Sequence, residues 1–468
     1  MKTTVRDSAE AGLAARAATP PVEHAGFDLP PDRLDPIAVL ERQATSRVPE
    51  LVPVRYGRML ASPFAFFRGA AAVMAGDLAA TPDSGLRTQL CGDAHLCNFG
   101  MFASPERRLV FDLNDFDETH PGPWEWDLKR LAASLEIAAR GNDFGRKHRR
   151  AIQLATVRAY QQAMNDFAGM AELDLWYARA DVEDLEGMLK DQLKKSRRKA
   201  AFDKTVAKAR TRDSQRSMAK LTELVGRHRR IIADPPLVVP VADLLAADEQ
   251  DAFVTAIRGM LGQYRSTLQS DRRRLLDQFV FADLARKVVG VGSVGTRCWI
   301  VLMFGRDAKD PLFLQVKEAQ RSVLAEYGGV KTGRADLGCQ GRRVVDGQRL
   351  MQTASDIFLG WATVDGIDGQ QRDFYARQLA DWKGSIAIEE MVPSGMTAYG
   401  RLCGWTLARA HARSGDRVAL AAYLGEDTTF AHAVAEFAEA YAEQNERDYD
   451  AMRAALRSGR ITAEPDHR

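Results

Sequence analysis

The chain has 468 residues, of which 46% are hydrophobic and 27% are charged, and its formal net charge at pH 7 is +2. This composition is typical of a soluble globular protein with room for two lobes or domains, and the nearly balanced charge makes nucleic acid an unlikely partner. No apolar run approaches the roughly 20 residues that cross a bilayer. The five cysteines form neither a CxxC pair nor a disulfide pattern. We therefore expect a cytoplasmic protein without membrane contact.

The N-terminal part of the chain changes character after about 30 residues. Residues 1–33 are rich in Ala, Pro and charge, so we expect a flexible N-terminal arm. A helical pattern begins at Pro36, and the next segment carries Arg55, Arg58 and Arg68 among phenylalanines. The simpler interpretation is a packed helix pair with solvent-facing arginines. The alternative is that Arg58 or Arg68 reaches an active site and holds a phosphate or a catalytic loop.

The stretch 91–128 carries the strongest chemical signal and reads CGDAHLCNFG, VFDLNDFDE and GPWEWDL. A polar turn precedes an apolar run, and carboxylates follow that run. This layout is typical of a loop that holds an acid near a reacting hydroxyl, followed by a strand that ends in metal ligands. Mg²⁺ suits such a place because it prefers carboxylate and carbonyl oxygens and leaves positions open for phosphate. The pattern predicts phosphoryl transfer, with candidate residues Asp93, His95, Asn98, Asp112, Asp115 and Asp117.

Amphipathic helices are predicted from Lys129 onward, and the chain is strongly basic between Lys190 and Arg230. Such a block is more often a solvated helix surface than a binding site. The alternative is an electropositive rim that attracts an anionic substrate. The Pro-punctuated stretch 233–245 is the predicted linker, so we place a boundary at residue 245.

A glycine-rich turn between two strands follows a predicted helix over 248–283. Glycine lets backbone N–H groups approach phosphate oxygens closely, and the next strand, PLFLQVKEA, presents Lys317, which can pair with phosphates. A lone GxGxxG is weak evidence, and a plain β-hairpin is the alternative. Because the carboxylate stretch also indicates phosphoryl transfer, we predict a hairpin lid over phosphates, with the turn residues Gly290, Gly292, Ser293 and Gly295.

The remaining chain is predicted to contain a helix over 344–353, a strand over 357–361 and a strand near Phe374. A strong helix pattern covers Tyr399 to Arg413, and further helices run to about Leu456.

Several of these motifs resemble one known fold. GDAHLCN resembles the GDxHxxN catalytic loop of the aminoglycoside-phosphotransferase and choline-kinase branch of the protein-kinase-like fold, and GPWEWDLKRLAAS resembles a helix start in that branch. The whole chain resembles DUF2252, a bacterial family of uncharacterised proteins that carries this motif set. The resemblance implies an α+β, two-lobe fold with a larger helical lobe and a small antiparallel β-sheet lobe.

The order of the motifs differs from that fold, in which the glycine-rich hairpin and the lysine strand come first. We therefore expect a circularly permuted kinase-like fold. Residues 34–245 would form the catalytic-loop part of the helical lobe with a basic helical insertion. Residues 246–383 would form the nucleotide-binding β lobe, and residues 384–468 would complete the helical lobe. The competing interpretation is two unrelated domains with chance motif matches.

The resemblance implies a role for each matched residue. Asp93 would orient or deprotonate the acceptor hydroxyl, and His95 would order the catalytic loop. Asn98 and Asp115 would hold Mg²⁺, with Asp117 or Asp112 as a second ligand. The ATP phosphates would be bound by Lys317 and covered by Gly290, Gly292, Ser293 and Gly295. A helix start would be tied to the catalytic loop by Asp127.

The resemblance also implies an adenine-binding hinge between the lobes, which would fall at the connection 379–383. In kinase-like proteins an acid pairs with the lysine of the β lobe. For Lys317 this acid stays open among three candidates, Glu318, Glu326 and Asp346.

The expected function is an ATP- and Mg²⁺-dependent phosphotransferase that acts on a hydroxyl-bearing small molecule or a protein. One alternative is a kinase-like module that binds nucleotide without efficient catalysis, and another is transfer of AMP to a protein. The retained lysine, asparagine and aspartates favour the enzyme. The expected partners are a nucleotide and an acceptor whose identity, like the oligomeric state, the sequence leaves open.

Overall fold

The computed structural model describes residues 4–183, 196–226, 228–245, 247–328, 338–365, 370–384 and 386–464. Over this part of the chain the fold is α+β, as expected. Its helices are α1 (Val5–Ala18), α2 (Pro36–Ala44), α3 (Val52–Met59), α4 (Pro63–Gly69), α5 (Ala71–Ala79), α6 (Trp124–Gly141), α7 (Arg146–Ala168), α8 (Glu172–Tyr177), α9 (Ser196–Arg210), α10 (Ser214–Leu221), α11 (Val241–Leu244), α12 (Ala247–Ser266), α13 (Ser270–Leu276), α14 (Gln340–Met351), α15 (Pro393–Ser414), α16 (Arg417–Leu424) and α17 (Thr429–Arg457).

The strands form antiparallel sheets. The largest has six strands in the order β12-β13-β11-β10-β9-β8, a second has the order β2-β3-β5, and the pairs β1-β4 and β6-β7 stand alone. These strands are β1 (Arg87–Leu90), β2 (Phe99–Ala103), β3 (Leu109–Leu113), β4 (His120–Pro123), β5 (Ala180–Asp181), β6 (Thr222–Val225), β7 (His228–Ile231), β8 (Val238–Pro240), β9 (Val280–Lys287), β10 (Cys298–Phe304), β11 (Pro311–Ala319), β12 (Gly360–Asp365) and β13 (Gln371–Gln378).

The six-stranded sheet is apolar on both faces. Side chains alternate across a strand, so Ile300 and Val301 in the middle of β10 point to opposite faces, and both are fully buried. Val301 packs with residues of α12, including Tyr264. Ile300 packs with Leu221 at the end of α10. The sheet is therefore covered on both sides, and its loops are what remain available for binding.

Helices from the two ends of the chain pack together. Helix α15, which begins with Pro393 at a position that suits the unpaired first turn of a helix, lies against α7. A Cβ at Gly400 would stand 2.2 Å from Thr156 Oγ1, and one at Gly404 would stand 2.4 Å from the Thr156 carbonyl oxygen. These glycines let the two helices approach closely. Residues near 150 and near 400 thus share one core.

The prediction of a flexible arm over residues 1–33 is wrong for its described part. Helix α1 begins with a capping box at Thr4 and packs along α16. A Cβ at Gly12 would stand 2.2 Å from the Ala419 carbonyl oxygen, and Arg16 Nη1 donates to the carbonyl oxygens of Tyr423 and Leu424 at 2.6 and 2.8 Å. This segment is held by contacts with residues about 400 positions away in the chain. The composition of the segment itself gives no sign of these contacts, so the prediction missed them.

Several predicted boundaries also move. The stretch 233–245, predicted as a linker, contributes β8 to the six-stranded sheet, so this sheet begins before residue 246. The predicted helix over 248–283 is divided into α12 and α13, and β9 begins at Val280. In the basic stretch, residues 190–195 lie outside the described residues, and the described part forms α9, α10 and the β6-β7 hairpin. None of the helices described here is long and apolar enough to span a bilayer.

Candidate functional site

A cavity of about 300 Å³ lies where the carboxylate stretch meets the glycine-rich turn. The catalytic-loop candidates and the turn, predicted from distant parts of the sequence, both line it. Gly295 lies beside this cavity, where a Cβ would stand 3.1 Å from Arg47 Cβ. The structure therefore brings most of the predicted site residues to one place: Asp93, His95, Asn98, Asp115, Asp117, Gly290, Gly292 and Ser293.

The loop after β1 is held by a buried carboxylate. Asp127 in the first turn of α6 accepts hydrogen bonds from Cys91 N at 2.8 Å and Gly92 N at 3.0 Å, which confirms its predicted structural link. Gly92 has a φ of +89°, and a Cβ there would stand 2.1 Å from the Glu118 carbonyl oxygen. Only glycine fits such a left-handed, crowded position without strain. The loop is thus fixed relative to α6 and the segment after β3.

Hydrogen bonds within the loop set the directions of its polar side chains. His95 Nδ1 accepts from Cys97 N at 3.1 Å, and Asn98 Nδ2 donates to the Asp93 carbonyl oxygen at 2.6 Å. Burial, together with the charges of Arg68 and Arg130, holds the pKa of His95 well below its usual value. The imidazole is therefore neutral, which matches a residue that orders the loop.

Asp93 is paired with an arginine that the sequence analysis did not single out. Arg130 Nε and Nη2 both lie 2.7 Å from Asp93 Oδ1, and the guanidinium stacks over the Phe67 ring with 4.0 Å to its centroid. Burial raises the pKa of Asp93, and Arg130 opposes that shift. Arg130 follows Asp127 by three positions on α6, and this spacing places both on one helix face. That spacing was the signal available in the sequence.

Lys317 is bound to carboxylates from the segment after β3. Its Nζ lies 2.5 Å from Asp117 Oδ2 and 3.6 Å from Asp115 Oδ2, and the Tyr375 hydroxyl donates to Asp117 Oδ1 at 2.6 Å. Burial lowers the pKa of Lys317, but the two carboxylates outweigh it and the net pKa is raised. For Asp115, burial raises the pKa, but Lys317, Arg377 and other groups together lower it by more, so the net pKa is lowered. The cluster is charged, and Tyr375 is a member that sequence patterns did not reveal.

None of the three acids proposed for Lys317 is its partner. Glu318 follows Lys317 on β11 and therefore points to the other face, where Arg297 Nη1 lies 3.3 Å from it. Glu326 pairs with Arg42 at 3.4 Å, and Asp346 pairs with Arg342 at 3.1 Å on the exposed side of α14. The correct partner, Asp117, lies in the predicted metal motif itself.

Asp112 is not available as a metal ligand, contrary to one of the two alternatives above. It is fully buried, and both its oxygens accept from Arg409 Nη2, at 2.7 and 2.8 Å. Thr353 N and Oγ1 donate to Asp112 Oδ2 at 2.8 Å. Because Asp112 lies inside β3, its side chain faces the helical core. Its role is to join β3 to α15.

The side-chain oxygens that stay available on the cavity could supply one or two of the ligands of a Mg²⁺ ion. Within the described chain, no three His, Cys, Asp or Glu side chains are grouped closely enough to hold a metal ion. Asn98 uses its amide nitrogen toward Asp93 and keeps its side-chain oxygen, and Asp115 lies on the same cavity. Mg²⁺ commonly has only one or two protein ligands and completes its shell with water and phosphate. The donor set is therefore suitable, with Asp117 already bound to Lys317.

The arginine-bearing segment lies against the glycine-rich turn. Arg55 is 1% exposed and Arg58 is 3% exposed, so the expectation of solvent-facing side chains is wrong for both. Arg58 Nη1 donates to the Gly290 carbonyl oxygen at 2.7 Å, and Arg68 lines the cavity. Gly290 has a φ of +68°, which lets the turn present this oxygen. The segment thus closes one side of the cavity.

The connection 379–383, predicted to bind adenine, lies between β13 and the strand β2. Leu379 N donates to the Phe313 carbonyl oxygen at 2.9 Å, and Gly384 exchanges backbone hydrogen bonds with Met101 at 2.9 and 3.0 Å. A second, smaller cavity of about 60 Å³ is lined by residues that include Asn114, Leu379 and Lys383. Adenine binding at this connection stays a prediction.

Comparisons with known proteins give one match. The family model described as "Uncharacterized protein conserved in bacteria (DUF2252)" matches residues 47–455. No curated protein and no solved structure matches the chain. The matched range contains every site residue described above and covers most of the chain. The chain belongs to the DUF2252 family.

Proposed function

We propose that this protein is an ATP- and Mg²⁺-dependent phosphotransferase with a circularly permuted kinase-like fold, acting on a hydroxyl-bearing acceptor. One observation carries the proposal. The lysine on β11 lies 3.6 Å from Asp115 and 2.5 Å from Asp117, beside a cavity lined by Asp93 and Asn98. The lysine, the carboxylates and the loop motif come from distant sequence positions, and chance motif matches give no reason for them to meet.

The contacts of α15 support the permutation. Its end meets β1: a Cβ at Gly415 would stand 2.4 Å from Thr88 Cγ2, and Ser414 Oγ lies 3.5 Å from the Gln89 carbonyl oxygen. A helix that leads through a strand into the catalytic loop is the expected order for a kinase-like fold, here with a chain break between helix and strand. Glu464 N donates to the Pro53 carbonyl oxygen at 3.0 Å, so the last described segment packs against the N-terminal part of the chain, an arrangement that supports a permutation.

The core clusters support two lobes. One apolar cluster joins α6, α7 and α15 to the loop and strands that carry Asp93 and Asp115. Another joins the six-stranded sheet to α12. The proposed nucleotide would lie between these clusters, with its phosphates near the glycine-rich turn and Lys317. Such a boundary between two bodies is a common place for ligands.

The predicted site residues have separate proposed roles. Asn98 and Asp115 would hold Mg²⁺, whose charge offsets that of the ATP phosphates. Lys317 would bind the phosphates from the sheet side, and the neutral His95 would keep the loop in shape. Asp93 would accept a hydrogen bond from the acceptor hydroxyl through the oxygen that Arg130 leaves available, and so orient it toward the phosphate.

A second candidate is a nucleotide-binding module without efficient transfer, or an enzyme that transfers AMP. The ion pair of Asp93 with Arg130 favours the module without efficient transfer, because the guanidinium opposes the rise in the pKa of Asp93 that burial causes. Transfer that depends mainly on positioning tolerates such a pair, so the phosphotransferase remains our proposal.

The test is ATP turnover by the purified chain with Mg²⁺ and panels of hydroxyl compounds and proteins, followed by the mass of the product. A product heavier by one phosphoryl group is expected, whereas a gain of AMP would support the second candidate. Asp93→Asn should lower turnover roughly 10²-fold or more, and the exposed Asp203→Asn should not change it. Unchanged turnover in Asp93→Asn would contradict catalysis at this site.

A further inference from the structure

Three arginines on the wall of the cavity have buried N–H groups without hydrogen-bond partners. Arg47 is 9% exposed, Arg55 is 1% exposed, and Arg68 is half-buried. All three line the cavity beside Asp93. The unpartnered atoms are Arg47 Nε, Arg55 Nε and Nη1, and Arg68 Nε. Several donors thus lie around one enclosed space without an acceptor.

The hydrogen bonds that Arg47 and Arg55 do make go to neutral oxygens. Arg47 Nη1 donates to the Val294 carbonyl oxygen, and Arg55 Nη2 donates to Gln43 Oε1 at 3.0 Å and the Gly69 carbonyl oxygen at 2.9 Å. Across the described ranges, none of the three arginines forms an ion pair with a carboxylate. None of these three guanidinium groups is therefore paired directly with a carboxylate of the described chain.

Five of the six acids that line the cavity in the described chain are paired with other cations: Asp93 with Arg130, Asp115 and Asp117 with Lys317, Glu318 with Arg297, and Glu326 with Arg42. The sixth, Glu118, accepts a hydrogen bond from Val323 N at 2.7 Å, and burial raises its pKa to about 7. A guanidinium in a buried place without a counter-ion is unfavourable, and an oxyanion offers both the charge and the paired acceptors that its planar donors fit. The cavity therefore has the features of a site that an anionic ligand completes.

We propose that Arg47, Arg55 and Arg68 form an anion subsite that binds the acidic group, a phosphate or carboxylate, of the acceptor. This inference rests on the proposed phosphotransferase function and narrows it to acidic hydroxyl compounds. The acceptors of the aminoglycoside and choline kinases named by the resemblance are cationic. Three arginines without a direct carboxylate partner among the described residues disfavour a cationic acceptor, so the charge of this subsite selects an acidic one.

The oxyanion that these arginines bind could also be the terminal phosphate of the nucleotide. The acceptor is favoured because the three arginines line the cavity together with Asp93, which would orient the acceptor hydroxyl, whereas Lys317 lies on β11 and is bound to Asp117. Arg55 in particular is anchored to Gln43 and Gly69 of this segment. The experiment therefore needs one arm for a simple oxyanion and one arm for the nucleotide.

The first arm measures the melting temperature of the full chain, without nucleotide, against inorganic phosphate and against chloride at equal ionic strength. Wild type should show saturable stabilisation by phosphate. Arg47→Gln and Arg68→Gln should each raise the half-saturating phosphate concentration about tenfold, since each removes charge-assisted hydrogen bonds. Arg306→Gln, whose side chain is 85% exposed, should change it less than twofold. If a Gln variant does not fold, Arg68→Lys should raise it about threefold.

The second arm repeats the measurement with ATP and Mg²⁺. Stabilisation by ATP that survives in Arg68→Gln but is lost in Lys317→Met supports separate subsites. If the arginine variants lose both ATP and phosphate stabilisation, the arginines bind the nucleotide, and the acceptor inference is overturned while the phosphotransferase proposal stands. If ATP has no effect but phosphate acts through the arginines, the anion subsite stands and the proposed function fails. No phosphate effect beyond that of chloride would overturn the inference.

Discussion

Lys317 Nζ and Asp117 Oδ2 lie 2.5 Å apart, although 200 positions separate the two residues in the chain. This contact joins the six-stranded sheet to the segment after β3. It also places the two halves of the proposed site, the glycine-rich turn with its lysine and the loop with its carboxylates, on one cavity.

The buried pair of Asp112 and Arg409 should be structural. Arg409→Leu leaves the Asp112 carboxylate buried without its cation, so we expect a loss of about 3–5 kcal/mol in the free energy of unfolding by urea. In Asp112→Leu combined with Arg409→Leu, no charge is left unpaired, and most of this loss should be recovered. A double variant as unstable as the sum of the single variants would contradict the account.

Helix α1 should be an integral part of the fold. Gly12→Ala places a methyl group against the Ala419 carbonyl oxygen, which as backbone cannot move aside easily, so we expect a loss of about 1–3 kcal/mol. The matched control is Gly259→Ala in α12, where a Cβ meets no described atom within 4 Å. That change should stabilise the protein by about 0.5–1 kcal/mol. Equal melting temperatures for wild type and Gly12→Ala would restore the flexible-arm interpretation.

Asp127 should hold the loop that carries Asp93. In Asp127→Asn one of the two N–H donors, from Cys91 or Gly92, loses its charged acceptor, so we expect a loss of about 1.5–3 kcal/mol. Amide hydrogen exchange at these two residues should become faster. The exposed Asp203→Asn serves as the control. Unchanged exchange in Asp127→Asn would mean that other contacts fix the loop.

Stability at acidic pH should depend on His24, which is fully buried with its Nε2 2.6 Å from the Tyr423 hydroxyl. Burial, and then the charge of Lys129, lowers the pKa of His24 to about 3. The unfolded chain binds this proton near pH 6.5 and the folded chain does not. The stability that neutral, buried His24 contributes is therefore fully present above pH 6.5 and decreases as the pH falls toward 3. At pH 4.5 the loss amounts to about 2.7 kcal/mol in the free energy of unfolding.

The variant His24→Gln removes this term, so its free energy of unfolding should fall less between pH 6.5 and 4.5 than that of wild type. Glu125 acts in the opposite sense, because burial raises its pKa to about 7 and its contribution is lost as the pH rises from 4.5 to 7. The difference between variant and wild type isolates His24. The exposed His148→Gln should follow wild type, and a His24→Gln curve parallel to wild type would contradict the prediction.

The sequence predicted the elements whose signal is local. The loop with Asp93 and Asn98, the glycine-rich turn between β9 and β10, and α15 within 393–414 all have short motifs or strong periodicity. Strand alternation could also have excluded Glu318 as the partner of Lys317, because adjacent residues of β11 face opposite sides, but the prediction kept Glu318 among the candidates. These features follow from neighbouring residues, so no knowledge of the fold was needed.

The sequence could not predict relationships that the tertiary fold creates. Tyr375 donates to Asp117 because β13 pairs with β11, where it lies opposite Lys317. Arg55 is buried because its segment packs against the glycine-rich turn, although charge near apolar residues is usually solvated. Helix α1 depends on its contacts with α16. In each case the deciding partner lies far away in the chain.

The central claim is that nucleotide binds where Lys317 meets the carboxylates. The most direct test compares melting temperatures with and without ATP and Mg²⁺ for wild type, Lys317→Met and the exposed control Lys309→Met. At a hundredfold excess over its dissociation constant, a ligand specific for the folded state adds about 2.7 kcal/mol of stability. We predict an Mg²⁺-dependent rise in wild type and Lys309→Met that is lost in Lys317→Met. No rise in wild type at any ATP concentration, or an equal rise in Lys317→Met, would contradict the account.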